Sequence, residues 1–405
     1  MPFLTYDPTQ SYLLPPSVHD VLGENHLCFQ VERIVKKLDL SALEQEGSVE
    51  GRPAYHPAMM ISLWLYAYLL RVHSTRRLEQ KTREDLGFRY LAGGSEPDHK
   101  TLSEFLRRHP RTLNDLFTQV LEVARSMGLV KLGLVAVDST VIAANASRYR
   151  MDTRKRLRRQ RLRMRKQIRE WQKKTVEQDD RDDATKMKDE EIAKLQAGLD
   201  EMPRRLEKLK KSGQKQVSRT DPEARWLRDG KRGWTCGYRS QITVSQDHFI
   251  VAQRTTREAA DNHSLLPMVE QTISNCCDIP GKTLADAGFF SLKQIGEVEK
   301  NGSEAYVPDN NLAREMHGGK RAPAGIGSSP LRDPLHRRMR EKLRSEAGRE
   351  CYEKRQGTVE PVFGVIKQQL GLRRFRRRGL EAATVEFALA AMAYNINRIL
   401  KEGGV

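Results

Sequence analysis

Asp138 ends a short apolar run, Leu132-Gly133-Leu134-Val135-Ala136-Val137, and Asp286 ends another, Thr283-Leu284-Ala285. A charged group in such a setting is costly unless it meets a cation. Two carboxylates at the ends of neighbouring strands make a hard, oxygen-rich site suited to magnesium or manganese and not to zinc. Glu360 follows Gly357-Thr358-Val359 and precedes Pro361, which fits the first turn of a helix. Lys367 comes two helical turns later, on the face of Glu360. An acid at a metal with a lysine two turns away suits the grip of a DNA backbone beside a reacting phosphate.

Each residue taken singly has an ordinary structural explanation. An aspartate at a strand end is commonly a turn or cap residue. Asp247 reads as part of a hairpin turn and Asp261 as a cap for the helix after it, while His263 and His99 read as polar surface or cap neighbours. Spacing and composition leave both a metal-dependent nuclease and a set of structural carboxylates open. There is no GxxxxGK[ST] loop, no HExxH and no Cys/His zinc spacing, so the usual ATPase and zinc chemistries fall away.

Strands must carry the two aspartates. Leu132–Asp138 reads as one, and Arg239–Ser245 and Phe249–Thr255 read as a β-hairpin around Gln246-Asp247-His248. A helix over Asn262–Asn275, a buried strand Thr283–Asp286, a helix Ser291–Lys300 and a strand near Glu304–Val307 follow. Three early strands and then alternating helix and strand predict an α/β fold, a mixed sheet flanked by helices. Glu360–Leu370 and Leu380–Leu400 read as helices, and the Gly-, Pro-, Arg- and Lys-rich stretch 308–345 as a mobile basic loop.

Residues 1–130 read as wholly helical, with helices over His26–Leu38, Ala58–Val72, Ser74–Leu86, Lys100–His109 and Leu113–Met127. Short helices with outward Arg107 and Arg108 suit DNA binding, and equally suit helical packing or dimerisation. Between the first two strands lies a charged insertion, 148–235. Its apolar residues Ile192, Leu195, Leu199, Met202, Leu206 and Leu209 alternate by three and four, and Leu157, Met164, Ile168 and Trp171 repeat similarly. That pattern predicts an antiparallel helical hairpin turning near Asp179–Asp183, with a kink or break at Pro203. The expected organisation is a helical domain over 1–130, a sheet domain over 131–147 and 236–400, and a basic helical insertion over 148–235.

The 405-residue chain is 38% hydrophobic, enough for folded cores, and carries a formal charge of +18. Such a surplus calls for a polyanionic partner, nucleic acid first and an anionic membrane surface second. The charge is concentrated. Between Arg148 and Lys174 fourteen basic residues face two acidic ones, with Arg158, Arg159 and Arg161 at the centre. A second knot is Arg373-Arg374-Phe375-Arg376-Arg377-Arg378. The most apolar segment, Met59–Leu70, is shorter than the roughly 20 residues that span a bilayer and reads as a buried helix. No basic-then-apolar leader pattern is visible at the N-terminus. The five cysteines have no CxxC spacing and read as reduced structural thiols.

Three blocks together resemble the DDE transposases of bacterial insertion sequences, in the group with a Tyr-Arg-Glu-Lys signature. They are Asp138-Ser139-Thr140 with Ala144-Asn145-Ala146-Ser147, Asp286-Ala287-Gly288-Phe289-Phe290-Ser291, and Val359-Glu360-Pro361-Val362-Phe363-Gly364-Val365-Ile366-Lys367. Leu13-Leu14-Pro15-Pro16, the helices of His56–Arg108, Thr220–Arg225 and Gly237–Gln241 resemble further landmarks in the same order. Tyr352 to Arg355 fits the signature and so does Glu360 to Lys367, but four residues instead of three separate Arg355 from Glu360.

The resemblance implies an RNase H-like core in which Asp138, Asp286 and Glu360 hold two divalent ions, Mg2+ or Mn2+. It implies that Lys367, with Tyr352 or Arg355, contacts DNA near the cut. The Arg158–Arg161 arm and Arg373, Arg374 and Arg376 would neutralise phosphates. The expected partners are element-end and target DNA and a second copy of the chain, in a bacterial cytoplasm at the nucleoid, with no membrane. A transposase relic that binds without cutting and a stand-alone DNA nuclease of the same fold are the rival readings.

Overall fold

The computed structural model describes residues 17–45, 54–147, 150–177, 183–229, 233–316, 318 and 333–403. The Leu13–Pro16 landmark, the arms' turn at 178–182 and most of the expected basic loop, 319–332, lie outside the described residues. The N-terminal region is helical: α1 (Val18–Val21), α2 (Leu27–Val35), α3 (Ser41–Glu44), α4 (Pro57–Leu69), α5 (Thr75–Glu84), α6 (Leu86–Leu91), α7 (His99–Arg108) and α8 (Pro110–Ser126). His56 caps α4 by accepting the Ala58 N–H at 3.2 Å, and Pro57 fills the first turn, where no N–H is needed. Met60–Tyr68 is buried on every face, as a helix without a polar stripe must be.

β1 (Leu134–Ala143) opens the sheet and runs past Asp138. The chain then leaves through β2 (Met151–Thr153), α9 (Arg154–Glu177), α10 (Asp183–Lys211) and β3 (Gln216–Ser218), and returns by β4 (Arg225–Arg228) to β5 (Trp234–Ser245) and β6 (Ile250–Thr256). β5 pairs antiparallel with β1 from Val135–Ser245 to Ala143–Gly237. A Cβ on Gly237 would stand 2.1 Å from the Ile142 carbonyl oxygen, so this close pairing needs glycine. After α11 (Leu265–Cys276), β7 (Lys282–Ala285) lies parallel to β1, and after α12 (Leu292–Lys300), β8 (Glu304–Tyr306) lies parallel to β7. Parallel neighbours need such helical crossovers. The order β6-β5-β1-β7-β8, with β4 beside the start of β5, is a mixed α/β sheet of RNase H-like kind.

Two helical expectations need correction. The stretch 308–345 is helical at both ends, in α13 (Asn310–Met316) and α14 (Pro334–Arg344). Buried Asp309 joins them, accepting from His336 at 2.9 Å and from both forks of Arg340 at 2.5 and 2.8 Å. Glu360 does not open a helix: α15 (Glu346–Gly364) begins fourteen residues earlier, where Ser345 accepts the Gly348 N–H at 3.1 Å. Pro361 sits inside it, and burial of Val359, Val362 and Phe363 holds the helix together despite the missing N–H.

In the insertion, Leu157, Met202, Leu209 and Val217 form a small core between α9 and α10, with Met164 and Leu206 against it. Pro203 lies within α10 without ending it. α16 (Leu380–Glu402) is buried on nearly all sides and packs on α4 and α8 as well as on β6, so the helical region and the sheet share one core. Its Asn395 pairs with the backbone of Ile250, accepting the N–H at 3.0 Å and donating to the carbonyl at 2.9 Å. Asn395→Leu strands both buried groups, so a loss of about 2–4 kcal/mol is expected in urea unfolding; an unchanged midpoint would show that Ile250 finds other partners.

Candidate active site

Side chains alternate along a strand, so Asp138 and Thr140 share one face of β1 while Ser139 points to the other. In register, Val137 faces Ala285 across the parallel pair, which brings the next residues, Asp138 and Asp286, to adjoining strands. Asp138 takes the Ser139 N–H at 2.7 Å. Asp286 caps a 3-10 turn over Ala287–Phe289 by taking the Gly288 N–H at 2.9 Å. A Cβ at residue 288 would crowd that carboxylate oxygen at 3.0 Å, a reason for glycine there.

α15 crosses this face and supplies the counter-charge. The Arg355 guanidinium donates to Asp138 at 3.1 Å, with side chains only 14% and 17% exposed. Tyr352, buried, lies under that guanidinium, 5.8 Å from ring centre to Cζ. Burial pushes the Asp138 carboxyl up from 3.8 to about 6, and the negative charge of Asp286 adds to the rise against the pull of Arg355. Burial raises Asp286 as well, with Arg355 again opposing. Burial opposes the Arg355 charge, but Asp138, Tyr352 and Asp286 together hold its pKa above the ordinary value. Two desolvated carboxylates that bind protons too readily are short of positive charge. Their hard oxygens fit a magnesium or manganese ion.

Lys367 reaches the same strand face and donates to the Thr140 hydroxyl. Glu360 does not join the group. It is exposed, and its partner is Gln356 at 2.9 Å. Among the described residues no three carboxylate, histidine or cysteine side chains converge on a metal position. The expectation that Glu360 and Lys367 share a helix face fails for a local reason. Val365–Gln369 forms a π-turn, whose wider winding offsets Lys367 from the stripe that carries Glu360.

The opposite face of β1 holds a polar cluster that spacing did not assign to the site. Asp261 is 7% exposed and does not cap α11 with its side chain. Its carboxylate instead accepts from Ser139 at 2.8 Å, Arg239 at 2.6 Å and Gln241 at 2.7 Å. This bonding fixes the strand beneath Asp138. A signal existed in the sequence: Arg239 and Gln241 sit two apart on a strand, so both point to one face that must satisfy them. Asp247 is as expected, a turn residue that takes the Lys131 N–H at 2.9 Å.

The basic groups fall in two places. Arg373, Arg374, Arg376 and Arg378 are exposed around buried Phe375. Their backbone docks on the end of β1, where Phe375 donates to the Ala143 carbonyl at 2.9 Å. Arg377 turns inward near buried Glu386, whose oxygens take the N–H groups of Arg376 and Arg377 at 2.8 and 2.6 Å. Arg158, Arg159 and Arg161 are exposed on α9, but only Arg159 faces the cavity at the foot of the hairpin.

The site is thus a pair of carboxylates at adjoining central strands of a mixed sheet, with Arg355 of α15 and Lys367 of the π-turn after it reaching the same face. Residues 199–396 match the family described as the transposase DDE domain, and residues 16–108 match the transposase domain DUF772. The chain therefore belongs to the DDE transposases of insertion-sequence type. The DDE match takes in Asp286 and Glu360 and begins after the strand of Asp138. Comparison with curated proteins and with solved structures gives no match. Among the described residues no helix is long and apolar enough to cross a membrane.

The raised Asp138 carboxyl has a consequence for stability. Above pH 6 the folded state carries this charge against its environment, whereas below about pH 4 the group is protonated folded or unfolded and the cost disappears. Asp138→Asn is therefore expected to stabilise the metal-free protein at pH 7.5 by on the order of 1–3 kcal/mol, and hardly at all at pH 4. Thermal melts at both pH values check this; an equal shift at both would remove charge as the cause.

Proposed function

We propose that this transposase binds the ends of its own insertion sequence, nicks them to free 3′-hydroxyls and joins those ends to target DNA. The observation that carries the reading is the desolvated pair Asp138 and Asp286, side by side on β1 and β7 within a transposase chain. Asp138 and Asp286, joined by Glu360 when DNA and metal are bound, are the residues to hold two Mg2+ or Mn2+ ions. Those ions would activate the attacking oxygen and stabilise the leaving one. Lys367, which donates to Thr140, and Arg355, which lies over Tyr352, would orient the scissile phosphate. Nicking forms a bond from water oxygen to phosphorus and breaks the bond to the 3′ oxygen. Joining exchanges one phosphodiester for another, so positioning suffices and no nucleotide hydrolysis is needed.

The DNA path runs over the exposed Arg373, Arg374 and Arg376 and along the arm of Arg158, Arg159 and Arg161. We assign the helices of residues 1–130 to end recognition or dimerisation, residues 131–147 and 236–400 to catalysis with β4 completing their sheet, and the rest of the insertion 148–235 to backbone binding. Two element ends imply at least a dimer during the reaction. One observation favours the rival relic that binds without cutting: Glu360 stands apart from the aspartates, paired to Gln356.

Incubation of wild type, Asp286→Asn and Glu360→Gln with element-end duplex and manganese separates the two, with products read on a denaturing gel. Wild type is expected to nick at the ends, and both variants to lose nicking while keeping duplex affinity within about twofold. Full nicking by either variant would remove that residue from the site. Tight binding with no nicking by wild type would leave the relic.

A further inference from the structure

A basic concavity lies away from the carboxylates, at the foot of the helical hairpin. It has a volume of about 590 Å³ and is walled by Lys155, Arg156, Arg159 and Arg163 of α9, with Arg219 from beyond β3. Its floor is the ion pair Asp152–Arg205, both residues buried, with two parallel bonds at 2.8 and 2.5 Å. That pair neutralises itself. The five wall cations are exposed, and no ion pair joins Lys155, Arg159, Arg163 or Arg219 to a carboxylate among the described residues.

Arginines cover several faces of α9, and on the face that lines the cavity Arg156, Arg159 and Arg163 fall at helical spacings of three and four, so three like charges share one concave wall, an arrangement that repels unless an anion sits between them. The first turn of α9 opens at the cavity, where Thr153 accepts the Arg156 N–H at 3.1 Å, and its dipole adds positive potential. A concave wall of guanidinium forks matches phosphate oxygens.

We infer that this cavity is a binding site for the phosphate backbone of duplex DNA, separate from the carboxylate site and read without regard to base sequence. The inference rests on the proposed transposase reading. Duplex DNA is favoured over a free phosphate by where the cavity hangs. The insertion leaves from the end of β1, and its root is tied to the exposed arginine knot: Asn145 donates to the Arg376 carbonyl at 2.5 Å and accepts from Arg378 at 3.3 Å. On the other side the Ser147 N–H reaches Thr220 at 3.2 Å, next to Arg219. Cavity, knot and the strand of Asp138 thus form one continuous run, along which a single duplex lies.

The test is fluorescence anisotropy of the full-length protein with a labelled duplex of arbitrary sequence, across a salt series. Arg159→Gln with Arg163→Gln is expected to weaken binding about tenfold and to flatten the log–log salt slope by about two. Lys155→Gln with Arg219→Gln should do the same, although these residues lie on separate segments; this pair also serves if the first variant fails to fold. Arg154→Gln with Arg165→Gln removes equal charge from the face of α9 that carries Arg158 and Arg161, and should weaken binding by no more than about threefold, less than either cavity pair. Equal losses in all three would make the arm a diffuse polycation and overturn the cavity. No loss in either cavity variant, with wild type still binding, would overturn it and leave the transposase reading intact. A cavity for free phosphate would show instead as inorganic phosphate raising the melting temperature of wild type but not of Arg159→Gln with Arg163→Gln, with unchanged duplex affinity, and would also overturn the inference. Failure of wild type to bind any duplex would overturn both.

Discussion

Holding Asp138 and Asp286 together, largely desolvated and with the Arg355 guanidinium bonded to Asp138, is the constraint on which the rest of the molecule turns. Two carboxylates on adjoining strands repel each other, and burial sharpens the repulsion. Such a pair persists only where the surrounding structure over-determines it. β1 is bonded on both edges, antiparallel to β5 and parallel to β7, so Asp138 has no freedom to swing out with its strand. Beneath it the Asp261, Arg239, Gln241 and Ser139 network holds the strand's other face. Above it α15 is pinned by buried Val359, Val362 and Phe363, and delivers Arg355.

The helical N-terminal region serves the same end by an indirect route. α16 packs between α4, α8 and β6, so the sheet's far side is covered by helices from both ends of the chain. His73 reaches across to the Leu370 carbonyl at 2.7 Å, just beyond the π-turn that carries Lys367. The lysine's position beside Thr140 therefore depends on helices that precede the sheet by many residues. A π-turn at this point fits the tendency of such irregularities to fall at functional sites, where a residue must be aimed off its regular stripe.

Much of this was legible in the chain. The strand run before Asp286, the hairpin around Asp247 and the alternation of helix and strand after Asn262 appear in the structure near their expected limits, and part of the heptad seam forms the insertion's core, whereas β1 continues past Asp138 to Ala143. These features come from local periodicity and turn chemistry, which act over a few residues. Where tertiary packing overrides a local rule, the expectation fails. Pro361 marks a first turn by its own chemistry, yet it lies mid-helix because the residues around it are buried. The Gly- and Pro-rich stretch has the composition of a loop, yet Asp309 organises helices at both its ends through His336 and Arg340.

The sequence by itself determined the class of fold, the concentration of positive charge and the setting of two aspartates after apolar strand runs, because each depends on residue type and short-range period. Tertiary structure alone decided which charges meet. It joined Arg355 to Asp138 across 217 positions of chain and set Asp261 under the site instead of at a helix start. It kept Glu360 exposed beside Gln356 and gathered Arg219 with Arg159 and Arg163 around one cavity. Periodicity says which face of an element is polar; only the packing of elements fixes which other face it meets, and electrostatic energies depend on that distance.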